Sequence, residues 1–151
     1  MAKTVGCHVT WTTYGTWLQG DERGYVKDGE TLPANDKPRR DNERRLVKKV
    51  VRFGAKEKRI VATAIQKEAA KYKIPLRALT VCSNHVYAVL GYSDFRIGSI
   101  VRRFKQAGRI ALINQGVDGK VWTAGFDKRF CFDEEGLKAR IAYVKQHGES
   151  E

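Results

Sequence analysis

Cysteine is scarce in this chain, and the three that occur, Cys7, Cys82 and Cys131, are odd in number, far apart and without a CxxC pair. That pattern speaks against a disulfide framework and against a zinc knuckle. At 151 residues the chain is long enough to bury a core with neither. No apolar run approaches the roughly 20 residues that cross a bilayer, and the opening MAKTVGCHVTW has no apolar stretch or small-residue cleavage site of a secretory signal. A reducing, cytoplasmic location with no membrane partner is the expectation. No internal repeat, low-complexity tract or composition break divides residues 1–151, so a single domain is expected. Acid is the minority charge: 17 Asp and Glu face 29 Lys and Arg, for a net charge of +12. Such a balance is the electrostatic footprint of a protein that grips a phosphate backbone, although ribosomal proteins, nucleases and DNA-binding regulators all share it.

Alternation from Val5 to Thr12 puts Val5, Cys7, Val9 and Trp11 on one side and His8, Thr10 and Thr12 on the other, the pattern of a half-buried strand. Periodicity then lapses through Gly15 to Arg40, a long polar loop. Between Asp41 and Lys73, rich in Lys, Arg, Glu and Ala, Ile60, Ala64, Ile65 and Ala69 recur near helical spacing, so one long or two shorter helices are expected, broken near Gly54 and ended by Pro75. ALTVCSNHVYAVL, residues 78–90, is two β-branched runs about the turn-prone pair Ser83-Asn84, hence a hairpin. Ser93-Asp94 is a candidate cap for a helix whose apolar stripe is Ile97, Ile100, Val101, Phe104 and Ala111. An aromatic strand is expected from Val121 to Phe132, and Asp133-Glu134-Glu135 then opens a last helix with negative charge at its positive end. Strand, helix, strand, strand, helix, strand, helix is the order of an α+β, ferredoxin-like antiparallel sheet with an added C-terminal helix. Two helices should cover one sheet face and leave the other for a ligand.

His85 and Tyr87, two apart on the second hairpin strand, should leave one face while Val86, Ala88 and Leu90 pack on the other. By itself an exposed strand histidine is more often a plain surface residue than a metal ligand. On the last helix Leu137, Ile141 and Val144 form the buried stripe, and Ala139, Arg140, Tyr143 and His147 a neighbouring one. If that helix crosses the open sheet face, Tyr143 and His147 approach His85; otherwise they are a boundary tyrosine and a frayed terminal histidine. Arg102, Arg103, Lys105 and Arg109 form a basic face that either follows phosphates or is simply solvated. Arg39-Arg40 and Arg44-Arg45 would neutralise further phosphates, while Trp11, Tyr14, Trp17 and Tyr25 are candidates for base stacking. Alternation favours the core for Trp11, and a place in the polar loop favours an exposed role for Tyr25.

Taken in order, these segments resemble the single-tyrosine HUH transposases, including the REP-associated tyrosine transposases. SNHVYAVL is similar to their HUH segment, FKQAGRIAL to their Lys-containing helix, and VWTAGFDKRFCFDEEGLKARIAYVKQ to their W-x-x-x-(F/Y)-D strand and nucleophile helix; HVTWTTYGTWLQGDERGYV is similar to the first strand and loop of a subset. The likeness runs from Cys7 to His147.

The resemblance implies that Tyr143 is a nucleophile that cuts and rejoins single-stranded DNA through a 5′-phosphotyrosine, at ends flanked by hairpins, in a homodimer. It implies a Mg²⁺ or Mn²⁺ cofactor held by His85 and by His147, which matches the family's third ligand. Lys105 and Asp127 match recurrent family positions, for DNA contact or support. Tyr87 stands where the second HUH histidine belongs, and a neutral phenol is a poor ligand for Mg²⁺. Three outcomes follow: an altered metal shell, completion by another residue such as His8, or a descendant that binds DNA without cutting it. A hairpin-binding or RRM-like protein with no enzymatic step is the competing reading.

Overall fold

The computed structural model describes residues 4–15, 51–117 and 119–149. Seven elements follow one another in these residues: β1 (Gly6–Thr12), α1 (Ala55–Lys71), β2 (Leu76–Val81), β3 (His85–Gly91), α2 (Ile97–Asn114), β4 (Asp127–Cys131) and α3 (Glu134–Glu149). The strands form one antiparallel sheet in the order β2-β3-β1-β4. This is the split βαβ arrangement expected, with β3 inserted between β1 and β2.

The pleat sorts the sheet's two faces. Cys7, Val9 and Trp11 of β1 and Val86, Ala88 and Leu90 of β3 point to one side, where Val61, Ile65 and Ala69 of α1 and Ile100, Val101, Phe104 and Leu112 of α2 close the main core. Trp11 lies at its centre, 6.5 Å from the Phe104 ring and 6.0 Å from Trp122. A buried indole so placed packs the core and cannot stack on a base. β1 is buried along its whole length rather than on one side only, because α3 covers part of the second face. A smaller core of Ala78, Val89, Cys131, Leu137 and Val144 joins α3 to that face.

Local chemistry sets the element ends. The Glu57 carboxylate accepts the Gly54 N–H at 2.9 Å as α1 begins, and Asp133 Oδ1 accepts the Gly136 N–H at 2.6 Å as α3 begins. Two expectations need correction. Ser93 Oγ accepts the Phe95 N–H and Asp94 accepts the Tyr92 hydroxyl, so this pair builds a turn and α2 starts later, after Arg96 with no side-chain cap. The strand expected over Val121 to Phe132 contracts to Asp127–Cys131, with Trp122 making only an isolated bridge to Thr13; Gly125, at φ +86°, turns the chain between them.

Gly6 sets how closely α3 approaches. A Cβ there would lie 2.5 Å from the Leu90 carbonyl oxygen and 2.6 Å from Leu137 Cδ1. Leu137 can shift, but the strand carbonyl can do so only by spoiling the sheet. Gly6→Ala should therefore cost about 1–3 kcal/mol of stability by overpacking, read as a lowered midpoint in urea unfolding.

A candidate tyrosine and metal site between the sheet and the last helix

Three cross-strand rows build the floor of the site. Thr80, Tyr87, Thr10 and Asp127 lie abreast on the four strands; His8 is flanked by Val89 and Arg129; and Thr12 pairs with His85. Because each row is two residues from the next, all these side chains leave the same face. α3 lies over that face, tied down where the Thr80 hydroxyl donates to the Val144 carbonyl at 2.8 Å. One turn of helix separates Tyr143 from His147, so both overhang the rows.

The result is a cluster of rings. Tyr143 stacks on His147 at 5.7 Å between centroids with an interplanar angle of 25°. It stands 6.1 Å from both His8 and Tyr87. His147 is 4.8 Å from Tyr87 and 5.7 Å from His85. The chain has three histidines, and His8, His85 and His147 all come to this one face. Tyr143 is 47 % exposed and lines the cavity beside the rings.

Beside the rings lies a cavity of about 280 Å³ lined by His8, Thr10, Tyr87, Asp127, Arg129, Arg140 and Tyr143. Two guanidiniums and two phenols around one hollow, with the Asp127 carboxylate beside Arg129, suit a phosphate, since guanidinium forks bind tetrahedral oxyanions well. Asp127 Oδ2 is 3.8 Å from Arg129 Nε, a contact between exposed groups.

His8 is 6 % exposed, and neither ring nitrogen has a hydrogen-bond partner. Burial, reinforced by the Arg140 charge, pushes its pKa from 6.5 down to about 4. Between those values the unfolded chain binds a proton that the fold refuses. Stability is therefore full above about pH 6.5 and is lost as pH falls toward 4, by on the order of 3 kcal/mol. Replacing His8 by Gln should flatten that part of the stability–pH curve, measured by urea unfolding at stepped pH.

At the other end of the cluster, ligand atoms of Cys82, His85 and His147 lie within 4.8 Å of one another, a spacing that can hold a metal ion. Cys82 closes β2 opposite His85, whose carbonyl accepts the Cys82 N–H at 2.8 Å. His85 Nδ1 lies 2.6 Å from Asn84 Oδ1. An amide oxygen can only accept, so Nδ1 carries the hydrogen and Nε2 carries the lone pair that a metal requires. These residues therefore fit a metal. Cys82 is not among the ligands expected from the sequence, where the cysteines are far apart from one another; the signal that points to it is Cys82-x-x-His85 across a tight hairpin.

Tyr143, His85, His147 and Tyr87 thus come together, and of the residues expected to contact DNA, Arg102, Arg103, Lys105 and Arg109 lie on α2. Arg102 and Arg109 are exposed on α2. The Arg103 guanidinium sits 4.2 Å over the Tyr72 ring. Lys105 is partly buried and donates to the carbonyls of Thr123 at 3.0 Å and Gly125 at 2.7 Å; burial lowers its pKa. Its ammonium ties α2 to the loop before β4. Arg39, Arg40, Arg44, Arg45, Trp17 and Tyr25 lie outside the described residues. Arg129 and Arg140, which line the cavity, were not singled out for DNA contact from the sequence.

No protein-family model matches the chain, and no curated protein matches it. Among the described residues no helix is long and apolar enough to cross a membrane. Solved structures do match. A candidate transposase from Deinococcus radiodurans R1 is 17 % identical over 97 % of this chain and 92 % of its own, with a TM-score of 0.48, too loose a superposition to carry weight. A REP-associated tyrosine transposase bound to a REP hairpin is 12 % identical and superposes with a TM-score of 0.58, covering 98 % of this chain and 72 % of the other. At that identity the likeness is one of architecture: this chain has the fold of a REP-associated tyrosine transposase.

Proposed function

We propose that the chain is a single-tyrosine transposase that cuts and rejoins single-stranded DNA near hairpins, with Tyr143 as the nucleophile. The observation that carries this reading is the exposed Tyr143 phenol set between a cavity flanked by Arg129 and Arg140 and a Cys82–His85–His147 donor set. Tyr143 Oη attacks a backbone phosphorus; the bond from phosphorus to the 3′ oxygen breaks, and the phenolic proton ends on the released 3′-OH. A 5′-phosphotyrosine results, and a 3′-OH attacking it reverses the exchange with no external energy source. Arg129 and Arg140 hold the non-bridging oxygens and stabilise the charge gathering on them. Buried and neutral, His8 keeps a third positive charge away from the same hollow.

His85 and His147 are the sequence-expected ligands, and Cys82 supplies a third donor in place of Tyr87. Two imidazoles and a thiolate are a softer set than the oxygen ligands Mg²⁺ prefers, and they favour Zn²⁺ or another borderline transition ion, with Mn²⁺ better suited than Mg²⁺. Such an ion, when bound, supplies Lewis-acid polarisation of a phosphate oxygen. Tyr87 then packs against His85 and His147 rather than ligating. A homodimer and a cytoplasmic location complete the proposal.

The reading is tested by incubating the protein with a labelled pool of single-stranded hairpin oligonucleotides, with divalent metal and with chelator, on denaturing gels. A protein–DNA band that requires the metal is the expected result. Tight hairpin binding with no such band, in a pool known to contain cleavable ends, would leave a protein that binds hairpins without cutting them.

A further inference from the structure

A second hollow, of about 620 Å³, opens on the helix-covered side of the sheet, where α2 begins and leaves β4 uncovered. Tyr92, Phe95, Phe126 and Phe130 line it, and all four are exposed. Held out to water in one place, four aromatic rings give a contiguous apolar surface of the kind that marks a binding site. Among the described residues, the charged ones in its wall are Arg96, Arg102 and Lys128, with no acid beside them. The nearest candidate, Asp94, accepts the Tyr92 hydroxyl at 3.0 Å. Lys128 Nζ lies 5.4 Å from the centre of the Phe130 ring.

We infer that this cleft binds unpaired bases of single-stranded DNA, the rings stacking on base faces and the cations taking the flanking phosphates. The inference rests on the proposed function for the identity of the strand. Its placement follows from β4, an edge strand whose alternate residues serve two sites: Asp127 and Arg129 line the tyrosine cavity, and Lys128 and Phe130 line the cleft. One strand's thickness separates them. A nucleic acid passing around this edge would place a phosphate at Tyr143 and bases a few nucleotides away in the cleft, so the cleft would set where the strand is cut. A second copy of the chain is the poorer occupant, because it would bring another +12 protein against three cations. A polyanion with flat apolar faces matches both the charge and the rings.

The test uses the full chain carrying Tyr143→Phe, to prevent cutting, and an unstructured single-stranded oligonucleotide containing 2-aminopurine, whose fluorescence falls on stacking. Binding should quench the probe. Phe126→Ala with Phe130→Ala should abolish the quench and weaken binding roughly 10- to 100-fold, as loss of stacking does. Arg102→Glu, a surface change that leaves the rings in place, should weaken binding and steepen neither metal dependence nor thermal unfolding. Equal affinity and quenching in all three proteins would overturn the inference, as would variants that alter only self-association in sedimentation. A quench that depends on the rings, in a protein that otherwise forms no covalent adduct, would uphold the cleft and sink the nuclease reading. Normal adducts, cut at unchanged positions, from the same cleft variants made with Tyr143 intact would do the reverse.

Discussion

Tyr143→Phe should reduce formation of the covalent protein–DNA adduct by roughly 10⁴-fold or more, because it removes the only oxygen in the side chain that can bond to phosphorus. Affinity for uncut hairpin DNA should change by less than about 3-fold. The Tyr143 ring is half exposed and its neighbours are rings at centroid distances of 5.7–6.1 Å, contacts that phenylalanine keeps. Arg129 and Arg140 are untouched by the change. Parallel gel-shift and denaturing-gel titrations of the two proteins measure both quantities. Equal loss of binding and of adduct would mean that Tyr143 is a binding residue, and a surviving adduct would point to another nucleophile.

The second large effect concerns the donor set. With Cys82, His85 and His147 as ligands, Co²⁺ bound in place of Zn²⁺ should show the intense sulfur-to-metal absorption of a thiolate complex. Cys82→Ser should remove that absorption and lower Zn²⁺ affinity by more than the roughly 10–100-fold that loss of a hydrogen bond behind a ligand costs. Asn84→Ala, which releases His85 Nδ1, should give a smaller loss with the absorption retained. A protein that binds Mg²⁺ as tightly as Zn²⁺, with no sulfur absorption in the Co²⁺ form, would remove Cys82 from the shell and return the site to the harder ion expected from the resemblance. Adduct formation need not be measured to decide between them.

Much of this site was readable before any coordinates because it depends on local periodicity. A strand period of 2 puts His85 and Tyr87 on one face, and a helical period puts Tyr143 and His147 on one side of α3. The element order supplied the rest, since an added C-terminal helix has only the open sheet face to cover. Periodicity cannot report what comes from elsewhere. Cys82 faces His85 only through the register of a hairpin, and Arg129 joins Arg140 only because β4 pairs with β1 under α3. Lys105 is one more cation on a helical wheel, and only the fold shows that the Thr123–Gly125 loop passes beside it and takes two of its N–H groups. Ser93-Asp94 has the composition of a cap, yet its side chains bond within their own turn. The aromatic cleft was invisible in sequence because its rings come from the β3–α2 connection, the approach to β4 and β4 itself.

In the proposed reaction Tyr143 becomes joined to the 5′ phosphate of the downstream DNA fragment, and end-labelling tests this most directly. A single-stranded hairpin oligonucleotide is labelled at its 5′ end in one sample and at its 3′ end in another, then incubated with protein and divalent metal. The 3′ label should become attached to protein at Tyr143, and the 5′ label should leave on a shorter fragment ending in a 3′-OH. Attachment of the 5′ label, or two free fragments with no label on the protein, would contradict it.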